Sequence, residues 1–252
     1  MKLQAILFDC DGVLAETERD GHRVAYNHAM KELGIEAEWA VEEYSEYLLT
    51  AGGKERLKYY FNKFPSRFPP DKYNSDLILE IYRKKTEIFK SLVKSGALPP
   101  RPGIDRIIRE AHEKGILLFV CSTSHLESVE TLIRKNHGDE YLSWFKKLFC
   151  GDIVAKKKPA PDIYLLAKDE FNLDPEQCLV IEDSRNGLLA ARDAGMRCLV
   201  TQSVYTVDED FSEADIVTSC LGDPDGEKCR IIKSSKPISG KDYITIDDLT
   251  AL

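Results

Sequence analysis

Short continuous apolar runs recur along the chain and alternate with amphipathic stretches. Runs of strand length stand at Gln4-Ala5-Ile6-Leu7-Phe8, Ile116-Leu117-Leu118-Phe119-Val120-Cys121, Leu179-Val180-Ile181 and Cys198-Leu199-Val200, with a weaker one at Leu148-Phe149-Cys150. Between them the apolar positions take helical spacing, as over 104–114, stopped by Gly115, and over 187–194, stopped by Gly195. Continuous apolar strands separated by amphipathic helices predict an α/β fold whose parallel sheet is covered on both faces.

The interval 17–98 breaks this alternation. It is polar, rich in Glu, Lys and Tyr, and reads as several helices without a buried strand. Pro99-Pro100-Arg101-Pro102-Gly103 disfavours helix and marks the return to the sheet. The expected organisation is therefore a sheet domain, 1–16 and 99–252, with an α-helical domain, 17–98, inserted into it. Two connections at the strand-end face would let such an insert close as a lid. Beyond Gly222 the chain turns loop-rich, with a turn at Asp223-Pro224-Asp225-Gly226 and no predicted chemistry.

With 252 residues and 43% apolar content the chain can bury a large core and a smaller one. The 35 Lys and Arg against 43 Asp and Glu give a net charge of -8, which excludes duplex nucleic acid or an anionic membrane as the main partner. A phosphorylated ligand then requires a local basic pocket. The seven cysteines form no CxxC pair, so neither a disulfide framework nor a zinc site is expected, and those in apolar runs read as buried and reduced. No run approaches a bilayer span, and Met1 is followed by a strand instead of a signal peptide, so a soluble protein is expected, any targeting segment being removed or never present.

Candidate chemistry clusters at predicted strand ends. The first run leads straight into Asp9-Cys10-Asp11-Gly12, which offers a nucleophile, an acid and a metal ligand together where open α/β sheets bind ligands. Such a string is also a common turn or calcium-type loop. Ser122-Thr123-Ser124 follows the second long run, where the hydroxyls can meet a phosphoryl group or cap the helix at Leu126. In Lys156-Lys157-Lys158-Pro159, the proline restricts Lys158, while Lys156 and Lys157 read as solvated. Glu182-Asp183-Ser184 adds carboxylates at another strand end, with a helix-capping role for Asp183 as the alternative. Clustered carboxylates with a phosphate suit Mg²⁺, which takes few protein ligands.

These four segments, in this order, resemble the four motifs of the haloacid dehalogenase superfamily, over nearly the whole chain. The resemblance implies a Rossmann-like core with an inserted helical cap. It also implies Asp9 as the nucleophile that becomes an aspartyl phosphate, and Asp11 as the acid that later activates water. Ser122 and Lys158 would hold phosphoryl oxygens, with Thr123 and Ser124 as substrate contacts. Mg²⁺ would be held by Asp9, the Asp11 carbonyl and Asp183, with Glu182 close by. Asp11 sets the chain apart from the metal-independent dehalogenase branch.

The insert is similar to the cap of the branch containing phosphoglycolate phosphatase and β-phosphoglucomutase. Within it Gly52-Gly53-Lys54-Glu55-Arg56 opens a helix, where free amides and two cations can meet an anion, or simply an ordinary helix start with exposed charges. Together with Ala15-Glu16-Thr17-Glu18, Cys121-Ser122-Thr123-Ser124 and Lys157-Lys158-Pro159-Ala160-Pro161-Asp162, this segment resembles the CbbY-type sugar-bisphosphate phosphatases. That likeness implies a small phosphosugar substrate, xylulose 1,5-bisphosphate, gripped at its second phosphate by Gly52, Gly53, Lys54 and Arg56. Glu18 and His22 would meet sugar hydroxyls, His22 reading equally as a helix surface residue; His28, His112 and His137 read as structural or exposed. A monomer in a plastid stroma or bacterial cytoplasm is the implied setting. A β-phosphoglucomutase-like phosphotransferase shares the same motifs, and a non-catalytic phosphosugar-binding protein is the remote alternative.

Overall fold

In the computed structural model, which describes residues 3–50, 52–239 and 241–252, the apolar runs form one sheet. Its strands are β1 (Ala5–Phe8), β2 (Leu117–Ser122), β3 (Phe145–Cys150), β4 (Cys178–Glu182), β5 (Arg197–Thr201), β6 (Ile216–Thr218) and β7 (Ile231–Ser234), in the order β3-β2-β1-β4-β5-β6-β7. All neighbours are parallel except β6 and β7. Every residue of β1 and β4 is buried, as two-sided covering by helices requires. Strand order runs outward from β1 in both directions, so the crevice where ligands bind such sheets falls at the C-terminal ends of β1 and β4.

Register then does the positioning. Phe8 pairs with Val120 on one side and Ile181 on the other, and the Asp9 amide donates to the Ile181 carbonyl at 2.9 Å. Asp9 therefore leaves the sheet level with Cys121, one residue before Ser122 ends β2, and with Glu182, the last residue of β4.

The chain divides into two units, Met1–Glu16 with Leu98–Leu252, and Thr17–Ala97. The return to the sheet unit thus falls at Leu98, one residue ahead of the expected boundary. The C-terminal stretch corrects the loop-rich expectation: it contributes the antiparallel edge strand β7 and a terminal helix, Ile246–Ala251, started by a capping box between Thr245 and Asp248. Strand β3 also begins at Phe145, ahead of the apolar triplet, because Lys146 and Lys147 are exposed on this edge and mask its start.

Among the described residues, the second unit has a π-helical turn, Thr17–His22, and four α-helices: α1 (Arg23–Glu32), α2 (Val41–Leu48), α3 (Gly53–Lys63) and α4 (Ser75–Ser95). Its core is aromatic. Trp39 lies among the rings of Tyr26, Tyr44, Tyr47 and Tyr60, at centroid distances of 4.8 to 5.5 Å. Asn27 brackets the Trp39 backbone, accepting from its amide at 2.8 Å and donating to its carbonyl at 3.0 Å. Asn74 caps α4 by accepting from the amides of Asp76 and Leu77, and Gly96 ends it in the left-handed conformation.

All seven cysteines are buried and free. No helix among the described residues is long and apolar enough to cross a membrane.

Candidate active site

Lys158 is the hub of the polar cluster at the strand ends. Its ammonium donates to Asp9 Oδ1 at 2.6 Å, to the Cys121 carbonyl at 2.9 Å and to Glu182 Oε1 at 2.5 Å, which uses all three of its protons. The Tyr164 hydroxyl also donates to Glu182 Oε1, at 2.6 Å, and the Tyr164 ring lies 5.1 Å from the ammonium. Glu182 Oε2 accepts from the Asp183 amide and the Ser184 hydroxyl. Both oxygens of Glu182 are thus engaged, and its carboxylate is the buried counter-ion of the lysine. Tyr164 comes from the helix Asp162–Phe171 that follows the lysine-proline turn.

Two glycines make this packing possible. A Cβ on Gly187 would lie 1.9 Å from the Glu182 carboxyl carbon, and one on Gly12 would lie 2.0 Å from Asp183 Oδ2. Gly12 has φ of +76°, so it supplies both the turn after the first acidic pair and the space for Asp183.

Hydroxyls organise the surroundings of Asp11. The Ser124 hydroxyl donates to Asp11 Oδ2, and the Ser122 hydroxyl accepts from the Ser124 amide at 3.1 Å. The cap position of the next helix, Leu126–His137, belongs to His125, so these hydroxyls are not spent on capping. Thr123 is exposed beside them. Nor does Asp183 cap: Ser184 does, accepting from the Gly187 amide at 3.2 Å at the start of the helix Arg185–Asp193.

Asp9, Glu182 and Asp183 each place a carboxylate oxygen within 4.8 Å of the others. Burial, offset by Lys158 and reinforced by Glu182 and Asp11, raises Asp9 to about 7. Burial, Glu182 and Asp9 push Asp183 well above the carboxylate range, against the pull of Arg101 and the Ser203 hydroxyl. Burial would lower Lys158, yet Asp9 and Glu182 together keep its charge above the ordinary range. An all-oxygen set whose charges repel in a buried site fits a hard divalent cation such as Mg²⁺.

The predicted residues of the helical unit form a second cluster. The Tyr44 hydroxyl donates to Glu18 Oε2 at 2.9 Å and accepts from Arg56 Nη1 at 2.5 Å; Arg56 Nη1 is 3.6 Å from the same Glu18 oxygen. The guanidinium lies 5.3 Å from the Tyr44 ring. The Lys54 ammonium sits 5.9 Å over Tyr82, and the Gly53 carbonyl accepts from the Tyr26 hydroxyl at 3.1 Å. Glu55 folds back so that its carboxylate occupies the space a Cβ on Gly52 would need. His22 is half-buried, stacked on Phe89 at 3.9 Å, with Nδ1 2.9 Å from the Lys85 ammonium, which corrects its reading as a surface residue. Ammonium only donates, so Nδ1 accepts and the ring proton sits on Nε2. Burial, Lys85 and Arg56 keep this imidazole well below its usual pKa.

Tyr164, Tyr44 and Lys85 escaped the sequence reading. A tyrosine in an apolar helix stretch, or a lysine in a charged helix, carries no local sign of a polar partner far away in sequence. Of the other histidines, His28 is exposed, His112 stacks on Trp144 and His137 bonds Asp105.

A profile of haloacid dehalogenase-like hydrolases matches residues 3–195, and the chain belongs to that family. It is 45% identical to a CBBY-like protein of Arabidopsis thaliana over 227 residues, which is 89% of this chain and 71% of the relative. It is 44% identical to protein CbbY of Cereibacter sphaeroides over 216 residues, 84% of this chain and 90% of the relative. A mutant of CbbY from Rhodobacter sphaeroides, solved in complex with xylulose-(1,5)bisphosphate, superposes with a TM-score of 0.71 at 42% identity, covering 86% of this chain and 94% of that one. The protein is a CbbY-like phosphatase of the haloacid dehalogenase fold.

Proposed function

We propose that the protein is a Mg²⁺-dependent phosphatase that converts xylulose 1,5-bisphosphate to xylulose 5-phosphate through an aspartyl phosphate. The observation that supports this substrate is the bisphosphate bound by the 42%-identical CbbY structure. The plant and bacterial relatives favour a plastid stroma or a bacterial cytoplasm as its setting.

In this reading Asp9 Oδ2 attacks phosphorus while Lys158 holds Oδ1 and offsets negative charge on the phosphoryl group. Asp11, oriented by the Ser124 hydroxyl, gives its proton to the departing sugar oxygen and then takes one from the water that cleaves the aspartyl phosphate. Ser122 and Thr123 bind phosphoryl oxygens. Asp9, Asp183 and the Asp11 carbonyl would hold Mg²⁺, beside Glu182; the ion would supply charge neutralisation around the transferring group. Glu182 and Tyr164 fix the lysine from behind. On the helical unit, Lys54, Arg56 and the glycine-led start of α3 receive the second phosphate, and Glu18 and His22 Nε2–H meet sugar hydroxyls.

The test is phosphate release with Mg²⁺ from xylulose 1,5-bisphosphate, ribulose 1,5-bisphosphate and β-glucose 1-phosphate, with Asp9→Asn as control. Selective, Asp9-dependent release from the first is expected. No release from it, with glucose 6-phosphate forming from the third in the presence of a bisphosphate primer, would replace this reading with the phosphomutase.

A further inference from the structure

Arg101 lies in the proline cluster that leads back into the sheet unit, and it is buried. A buried arginine beside carboxylates and a phosphate site ordinarily suggests a phosphate ligand, since its planar fork matches that group. Here the donors are already committed. Nε pairs with Glu16 Oε1 at 3.0 Å. Nη1 donates to the Gly12 carbonyl and to the carbonyl and hydroxyl of Thr201, both at 3.0 Å. Nη2 donates to the carbonyls of Gln202 at 2.7 Å and Ser219 at 2.8 Å. A guanidinium has five N–H groups, and these partners use them all.

The partners define what the residue does. Gly12 is the turn after Asp11, and its Cα is packed against Asp183 so closely that no Cβ fits. Thr201 ends β5, while Gln202 and Ser219 directly follow β5 and β6. Glu16 closes the first segment of the sheet unit, just after the bridge between Ala15 and Pro100, and the Arg101 amide donates to the Leu14 carbonyl at 3.1 Å. One guanidinium therefore ties the turn bearing Asp11 to two strand ends on the far side of β4.

We propose that Arg101 is a positioning residue of the phosphatase site: it holds the Asp11-Gly12 turn against Asp183, and it does not bind the substrate phosphate. The inference rests on the phosphatase reading but not on the identity of the sugar. Lysine at this position would offer three protons and no fork, so Arg101→Lys keeps the charge while losing the geometry.

The experiment measures kcat and KM of Arg101→Lys on xylulose 1,5-bisphosphate and on p-nitrophenyl phosphate, with hydrogen exchange of the peptide covering 9–16. A fall in kcat of at least about tenfold, KM held within about threefold, and faster exchange confined to 9–16 are expected. A raised KM at unchanged kcat would make Arg101 a phosphate ligand instead. Faster exchange throughout the sheet unit with normal kcat would make it a structural residue only, and either result overturns the proposal. If Arg101→Lys fails to fold, Glu16→Gln keeps the guanidinium and weakens only the Nε arm; a smaller fall in kcat with local exchange in 9–16 is expected, and wild-type values would overturn it. If wild-type protein cleaves the aryl phosphate but not the bisphosphate, the substrate reading fails while Arg101 is still tested. If it cleaves neither, the exchange pattern decides.

Discussion

Asp9, Ser122 and Glu182 stand at the ends of three neighbouring parallel strands, whereas Glu18, Tyr44 and Arg56 reach one another from a π-helical turn and two separate helices. In the first cluster the backbone ladder sets the positions of the functional groups before any side chain chooses a rotamer. In the second, the arrangement depends on long side chains laid over aromatic rings. Bond-making needs its groups held within fractions of an ångström, and strand ends deliver that. Under the proposed function the second cluster only grips a remote part of a small molecule, which tolerates more adjustment, and a bundle of helices with an aromatic core allows it.

The sharpest challenge to this contrast is at Asp9, the proposed nucleophile. Asp9→Asn should lower turnover by at least about a thousandfold with little change in folding, measured as phosphate release alongside circular dichroism. Appreciable residual turnover would shift the chemistry elsewhere.

Next comes the hub. Lys158→Met leaves Asp9 and Glu182 buried without their cation, and a cost of about 3–5 kcal/mol in stability is expected, with turnover lost as well. Chemical denaturation measures it; an unchanged midpoint would mean that Glu182 and Tyr164 do not depend on the ammonium.

The third effect is the pH dependence of stability. In metal-free protein Asp9 keeps its proton up to about 7 when folded, against the ordinary aspartate value of 3.8 when unfolded. Between those values the folded state binds more protons than the unfolded one, so this group's contribution to stability is full at low pH and falls as pH rises to about 7. Denaturation midpoints in a chelator should show that decline, and Asp9→Asn should remove it. A decline that survives in the variant would assign it to another group.

In the helical unit the expected effects are smaller and fall on affinity. Tyr44→Phe removes the hydroxyl linking Arg56 to Glu18, worth about 1 kcal/mol, and should raise KM for the bisphosphate several-fold while kcat holds. A matching fall in kcat would erase the division of labour. Smallest, Asn74→Ala should cost about 1 kcal/mol of stability by uncapping α4 and leave kcat unchanged.

The same contrast explains what the sequence disclosed. Asp9, Asp11, Ser122, Lys158 and Asp183 are readable because each follows an apolar run or precedes a proline, so local signals give both the residue and its place. The alternation of runs likewise predicts the central strands. Strands β6 and β7 escape because a three-residue strand and a half-exposed edge strand carry too little periodicity. Arg101 hides because its partners, from Gly12 to Ser219, are distant in sequence and are mostly main-chain carbonyls, which leave no trace in side-chain identity. Tyr26, Tyr44, Tyr47 and Tyr60 of the helical unit looked polar in sequence, although their rings form its core.

The cysteines carry a consequence of their own. Burial raises the pKa of all seven, so the thiolate, the form that alkylating and oxidising reagents attack, is suppressed throughout the folded chain. Modification must wait for the chain to open. Cys10, Cys121 and Cys150 flank the Asp9 site, Cys178 and Cys198 lie in the sheet, and Cys220 and Cys229 sit toward the C-terminus. The sheet unit therefore carries a set of built-in clocks, and the order in which its thiols label is the order in which that unit comes apart.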